Sequence, residues 1–320
     1  MRVPSEAESK ETALVVGCVG QDGFYLTREL LGRGHRVVGI ARDALYEGTA
    51  SVGPAVSIND APAIKTLLNA VKPDRIYYLA AHHHSSQQAE AASDDAMRRG
   101  LAVHVDGFDI MLSAACGMAS RPKVFLASSS HVFGRPTKSP QDEMTPRAPV
   151  SAYGVTKDLA MRIADFYARH RDLFCASGVL YNHESPRRAP HFVSRRIADG
   201  VAAYARGGAP VVLGDLSAVV DWGAAEDYVR AMIDILDLEV PETFVVASGT
   251  GRTVAEFVET ACRIAGVEAE KAAVEDASVI RAQGAGVPLI GDPTRLLATT
   301  GWRPRIGFEA MVRAMMWVEA

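Results

Sequence analysis

No stretch of this sequence is long and apolar enough to cross a membrane as a helix, and the first ten residues, MRVPSEAESK, lack the apolar core of a secretory signal. Basic charge is not in excess either. There are 34 Lys and Arg against 38 Asp and Glu, and a net charge of −4 leaves no footprint for nucleic acid. Cysteine is scarce: Cys18, Cys116, Cys175 and Cys262 lie far apart, without metal-ligand or redox spacing, so reduced thiols in a cytoplasmic protein are expected. Internal repeats and low-complexity segments are missing as well. What remains is a chain of 320 residues, 48% hydrophobic and 22% charged, too long for one compact core and suited to a large α/β unit with a second lobe.

The first part of the chain alternates apolar runs with helical spacing. Strands are expected at 13–17, 36–40, 55–60, 75–81, 123–129, 174–181 and 242–248, and helices at 24–34, 61–71, 95–119 and 153–170. In the helix at 95–119, Leu101, Val105, Phe108, Ile110, Leu112 and Ala115 fall broadly on one side. Continuous apolar strands separated by helices imply a parallel sheet covered on both faces. After Asn182 the order breaks into short loops, a helix near 190–206, a strand at 210–214, and helices at 253–266 and 307–318. The expected organisation is a tail at 1–10, a dinucleotide-binding unit at 11–181 with a return at 215–248, and a substrate-binding lobe from 182–214 and 249–320.

The first strand runs into GCVGQDG, from Gly17 to Gly23, followed directly by a helix. Glycines so spaced let backbone amides and a helix N-terminus approach a pyrophosphate, and the strand-to-helix context is what gives the motif weight. The fold class that follows is α/β, a doubly wound parallel sheet of the Rossmann kind with a smaller C-terminal lobe. After the second strand comes Arg42, then Asp43. An acid there suits the ribose hydroxyl of NAD, while an arginine suits the 2′-phosphate of NADP; Arg42 comes first, so NADP is favoured over NAD.

Tyr153 and Lys157 are four residues apart at the start of a helix and share a face. An ammonium beside a phenol is expected to draw the phenol pKa towards neutrality, which would let Tyr153 take a proton from a hydroxyl as hydride leaves the same carbon. Ser129 ends the fifth strand, at the edge where such sheets hold ligands, and can bond the same oxygen. The plain alternative is a surface Tyr–Lys pair; the glycine loop and the strand-end serine, counted together, weigh against it.

The glycine spacing resembles the extended short-chain dehydrogenases/reductases. A closer resemblance, to the GDP-mannose 4,6-dehydratases and their nucleotide-sugar relatives, is carried by GCVGQDGFYL at 17–26, KPDRIYYLAAH at 72–82, YGVTK at 153–157, YNHESPRRA at 181–189, LGDLSAVVDWGAAEDYV at 213–229 and GDPTRLLATTGWRPR at 291–305. That resemblance implies an NAD(P)-dependent enzyme acting on a nucleotide-activated sugar through transient oxidation at C4. Loss of water across C5 and C6 and return of the hydride would follow. It further implies that Gly17, Gly20, Gln21, Asp22 and Gly23, with Arg42, Asp60, Leu79, Ala80, Ala81 and Arg188, hold the cofactor. Ser129 takes the place of a threonine on the sugar hydroxyl, Tyr153 is the base at C4, and Lys157 supports it and bonds the nicotinamide ribose. His84, Ser130, Asn182, Glu184, Val193, Arg196 and Arg281 border the substrate.

Three departures stand out. Where the family has a glutamate as C5 base, this chain has His131, a residue able to act as base or acid. Val219 and Val220 occupy positions where the family tends to carry lysine and arginine. The segment between Arg42 and Asp60 is shorter than the family's tetramer-building loop, so a homodimer through the helices at 95–119 and 153–170 is expected. Without elimination, the same Ser129, Tyr153 and Lys157 would serve an epimerase or ketoreductase. If chemistry were lost, the chain would be a dinucleotide-binding sensor. The run His82, His83, His84 alternates sides on an extended backbone and so does not form a single metal site; no metal is expected. Trp302 and Trp317 are read as packing residues.

Overall fold

The computed structural model describes residues 11–82, 94–276 and 287–316. The expected tail at 1–10, His83, His84, Arg281 and Trp317 lie outside the described residues. Chain order begins with β1 (Thr12–Val16), α1 (Gln21–Gly32), β2 (Arg36–Ile40), β3 (Ala44–Glu47), β4 (Ala50–Pro54), α2 (Ala61–Val71) and β5 (Arg75–Tyr78). Next come α3 (Asp94–Gly100), a π turn (Leu101–Asp106), α4 (Gly107–Cys116), β6 (Lys123–Ser129), a 3-10 turn (Ser130–Phe133), α5 (Ala152–His170) and β7 (Cys175–Leu180). The remainder is β8 (Asn182–Glu184), α6 (Val193–Tyr204), β9 (Val211–Leu213), β10 (Val219–Ala224), α7 (Ala225–Leu236), β11 (Thr243–Val246), β12 (Gly251–Thr253), α8 (Val254–Ala265), α9 (Ala269–Ala272), β13 (Ala273–Glu275), α10 (Thr294–Thr300) and α11 (Phe308–Met316).

Eight strands form one sheet in the order β11-β7-β6-β5-β1-β2-β3-β4. From β11 to β2 every pairing is parallel. Their apolar runs are buried end to end, as strands covered on both faces must be. The chain leaves β1 towards β2 on one side and returns through β5, β6 and β7 on the other. That reversal opens a crevice beyond the C-terminal ends of β1 and β5, where doubly wound sheets bind ligands.

The strand expected at 55–60 is not there. An antiparallel hairpin of β3 and β4 extends the sheet instead, and the chain then turns at 58–59 into Asp60, whose side chain accepts the N–H of Ala63 at 3.0 Å as the N-cap of α2. Asp60 stops the extended run because its carboxylate is committed to the helix that follows.

The helix expected at 95–119 differs too. It is interrupted by the π turn, and the wider turn changes which side chains face inward. His104 is 1% exposed, whereas Val105, which α spacing alone would bury, is only half-buried.

Among the described residues, two apolar cores result. The larger joins the parallel sheet to α1, α2, α4, α5 and α7, and takes in Leu296 and Trp302 from the C-terminal region. Trp302 packs as expected, and its indole N–H donates to the Asp227 carbonyl at 2.9 Å. The smaller core is shared by α6, α8 and α11 with Trp222, Phe257 and Phe308. A three-stranded sheet, β12-β10-β8, runs alongside it. The parallel pairing of β8 with β10 places Asn182 to Glu184 beside the crevice, an arrangement invisible in a segment read as loop.

Candidate active site

The glycine loop is a matter of space. Gly17 has φ +95°, and a Cβ on Gly23 would fall 2.2 Å from the Gly17 carbonyl oxygen and 2.6 Å from Cys18 Cα. Only glycine lets α1 begin this close to β1. Gly20 is the N-cap of α1 and offers no side chain to its free amides, so the positive end of the helix faces the cleft, a site suited to an anion. The cleft holds about 790 Å³ and is lined there by Val19, Gly20, Gln21, Asp22, Arg42, Leu79 and Ala81. Its volume, its glycine cradle and its open helix end fit a dinucleotide.

The opposite part of the same cleft holds Ser129, His131, Tyr153 and Lys157. Ser151 caps α5 by accepting the Gly154 N–H at 3.1 Å, so Tyr153 and Lys157 lie in its first two turns. A Cβ on Gly154 would lie 2.5 Å from the His131 carbonyl oxygen, which shows how tightly α5 abuts the 3-10 turn. The Ser129 side chain accepts the His131 N–H at 3.3 Å. The His131 and Tyr153 rings meet edge to face, with centroids 5.6 Å apart.

Charge in this corner is governed by burial. Desolvation pushes the Tyr153 phenol up to about 12, against smaller opposing effects from the neighbouring Ser129 hydroxyl and the Arg188 charge. The expected lowering by Lys157 is overturned: the ammonium donates to the Ala127 carbonyl at 2.7 Å and lies 5.8 Å from the Tyr153 ring centroid. Burial brings Lys157 itself down to about 7, with Asp22 pulling the other way. His131 is also lowered by burial, which favours the neutral imidazole, the form able to accept a proton.

Asp22 and His183 form a pair that a reading of the residues alone did not isolate. His183 Nε2 meets Asp22 Oδ1 at 2.9 Å and its Nδ1 meets the Tyr181 carbonyl at 2.7 Å. Both ring nitrogens face acceptors, so the ring carries both protons and Asp22 is its counter-ion. Burial opposes both charges, yet the pairing holds the Asp22 carboxyl below its usual range and raises His183. Gln21 spans the same junction, donating to the His183 carbonyl at 2.9 Å and accepting from Ser185 Oγ at 2.8 Å. The glycine loop is thereby tied to β8. The partners are 161 residues apart in sequence; the only local hint was the alternation within Asn182, His183, Glu184, which turns the histidine away from its neighbours.

Other expected site residues are placed variously. Asn182 and Arg188 line the cleft. Arg188 also pairs with Glu184 at 3.1 Å and stacks 3.6 Å over Phe192. Glu184 is buried and accepts from Ser194 Oγ at 2.7 Å, a role in holding α6 rather than lining the cleft. Ala80 backs Gly17, and Ser130 is buried in the 3-10 turn. Asp60, Val193 and Arg196 are not among the cleft-lining residues; Arg196 donates to the Val212 carbonyl at 2.7 Å. Arg187, His191 and Phe192 line the cleft without having been singled out, and Arg187 lies 4.2 Å over the Phe24 ring.

The GDP-mannose 4,6 dehydratase family matches residues 14–315. The chain is 33% identical over 334 residues to GDP-mannose 4,6 dehydratase 2 of Arabidopsis thaliana, covering 97% of this chain and 87% of that protein. Among solved structures it superposes on RMD from Pseudomonas aeruginosa complexed with NADPH, with TM-score 0.79, 20% identity and coverage of 96% and 98%. It also superposes on dTDP-glucose 4,6-dehydratase from Bacillus anthracis in complex with NAD, with TM-score 0.78, 19% identity and coverage of 96% and 95%. The chain belongs to the GDP-mannose 4,6-dehydratase family.

Proposed function

We propose that this member of the family oxidises a nucleotide-activated sugar at C4 and eliminates water across C5 and C6, with His131 in place of the family glutamate. The observation that carries the reading is the placement of Ser129, His131, Tyr153 and Lys157 in one cleft with the open N-terminus of α1. Bound there, a nicotinamide dinucleotide supplies the hydride acceptor and donor for the sugar. Burial favours the protonated Tyr153 phenol, so it first gives its own proton to the Lys157 amine, and as phenolate it takes the proton of the C4 hydroxyl, which Ser129 orients. Lys157, brought near neutrality by burial, supports the charge change at Tyr153. The C4 ketone acidifies the C5 proton; neutral His131 removes it and, once protonated, delivers it to the departing C6 hydroxyl, after which the hydride taken from C4 returns to C6 and a solvent proton is added at C5.

NADP as the preferred cofactor is supported by Arg42, which lines the cleft, whereas the Asp43 carboxylate accepts the Tyr46 hydroxyl at 3.2 Å. A homodimer is supported by Val155, Leu159 and Phe166, large apolar side chains exposed along α5. A cytoplasmic site of action is supported by four free thiols. The division into a dinucleotide-binding unit and a substrate lobe is supported by the two separate apolar cores.

Purified protein with NADP and a panel of sugar nucleotides that includes GDP-mannose tests the reading by mass spectrometry. Product lighter by one water, with solvent deuterium at C5, is expected. Product of unchanged mass would make the protein an epimerase. Product from His131→Glu but none from the wild type would remove His131 from the elimination.

A further inference from the structure

Tyr153 has a second imidazole against it. The His104 ring meets it edge to face with centroids 5.4 Å apart. His104 comes from the π turn, is almost completely buried, and has no part in the chemistry above. Its hydrogen bonds specify its protonation. The backbone N–H of His82 can only donate, and it donates to His104 Nε2 at 2.9 Å, so that nitrogen carries no proton. The proton is therefore on Nδ1, which donates to Thr156 Oγ1 at 2.7 Å. The Thr156 hydroxyl donates in turn to the carbonyls of Ala152, at 2.9 Å, and Tyr153, at 3.1 Å.

The π turn is itself braced. The Tyr78 hydroxyl donates to the Val103 carbonyl at 2.6 Å and Asn59 Nδ2 donates to the Ala102 carbonyl at 2.7 Å. Gly107 follows where a Cβ would lie 2.8 Å from the Tyr78 hydroxyl. A wider turn is thus held in place, and its effect is to bring an imidazole inward at 104.

We propose that His104, held as the neutral Nδ1–H tautomer between His82 and Thr156, is a positioning residue that fixes the Tyr153 ring and the helical turn carrying it. The proposal rests on the reading of Tyr153 as the proton-handling residue. His104 bonds the backbone leaving β5 on one side and the first turn of α5 on the other, so it sets the distance between the two walls that meet at Tyr153. A shift of about 1 Å in such a group costs on the order of 100-fold in rate.

The test uses the full chain with NADP. His104→Ala and Thr156→Val are each expected to lower kcat by roughly 10- to 100-fold with little change in KM, and the double variant to lose no more than the worse single one, because both break the same link. His104→Asn keeps a donor near Thr156 and is expected to recover part of the loss, which also serves if the alanine variant does not fold. Unchanged kcat in the single variants, or losses that multiply in the double, would overturn the proposal even if Tm falls. A substrate-independent reading comes from the titration of Tyr153 in protein carrying 13Cζ-tyrosine, assigned with Tyr153→Phe. Opening the His104 side should admit water and lower the titration point by about one unit. If no sugar nucleotide turns over, the functional reading falls, and an unmoved Tyr153 titration in His104→Ala or His104→Asn then overturns the positioning role separately.

Discussion

The two walls of the cleft are made of different materials. The wall from the large sheet is mostly backbone: Gly17, Gly20 and Gly23 bring main-chain atoms and a helix N-terminus to the surface. The wall from Tyr181 to Phe192 is mostly side chain, with Asn182, Arg187, Arg188, His191 and Phe192 projecting from a short strand and the loop after it. Backbone amides recognise a feature that every dinucleotide shares, and they tolerate no added atom. Side chains recognise what differs between ligands, and they can be exchanged one at a time. Tyr153, the proposed proton-handling group, and His131, the proposed C5 base, stand at the meeting point of the two walls in the same cleft.

The comparison is broken most severely from the backbone side. Gly23→Ala puts a methyl against main-chain atoms that cannot swing away, so it should cost at least the ~1–3 kcal/mol of ordinary overpacking. Dinucleotide affinity measured by titration calorimetry should fall roughly 100-fold. At the meeting point, Tyr153→Phe should reduce turnover about 100- to 10,000-fold while leaving dinucleotide affinity nearly intact, an outcome that separates binding from chemistry.

His131→Gln should cut water loss by on the order of 100-fold yet leave exchange of the C4 hydrogen with labelled cofactor; equal loss of both would place His131 in the first step instead. From the side-chain part, Arg42→Ala should shift preference from NADP to NAD by about 10- to 100-fold, the worth of a charge-assisted hydrogen bond. Equal affinity for the two cofactors before and after the change would show that Arg42 does not read the phosphate.

The smallest effect is on pH. Burial depresses His131, so the neutral base persists as pH falls past the ordinary histidine value of about 6.5. The acidic limb of kcat should therefore lie below that value in the wild type. The same sign holds for stability: a histidine lowered in the folded state contributes above its unfolded pKa, and that contribution is lost as pH falls through the folded one. In His131→Gln, the part of the limb due to this group should vanish.

Much of the first wall was legible because its signals are local. A glycine spacing between a strand and a helix, or a Tyr and Lys four residues apart, specifies its own geometry within a turn or two. The boundaries of β2, α2 and β6 follow from runs whose periodicity nothing else disturbs. The hairpin of β3 and β4 was missed because its strands are short, β4 is mostly exposed and neither carries a long apolar run, and AVSIND looked more strand-like than it is. The tyrosine pKa was read in the wrong direction because a lysine at i+4 is visible in sequence, whereas the burial that outweighs it is not.

By itself, then, the sequence determined the parallel sheet, the glycine cradle, and the shared face of Tyr153 and Lys157, since short-range backbone geometry suffices for each. Only the tertiary structure decided that Asp22 would hold a protonated His183 and that a π turn would bury His104 against Tyr153 in place of Val105. Those outcomes depend on which distant segments the sheet order brings together, and on a change of helical pitch that α spacing does not encode.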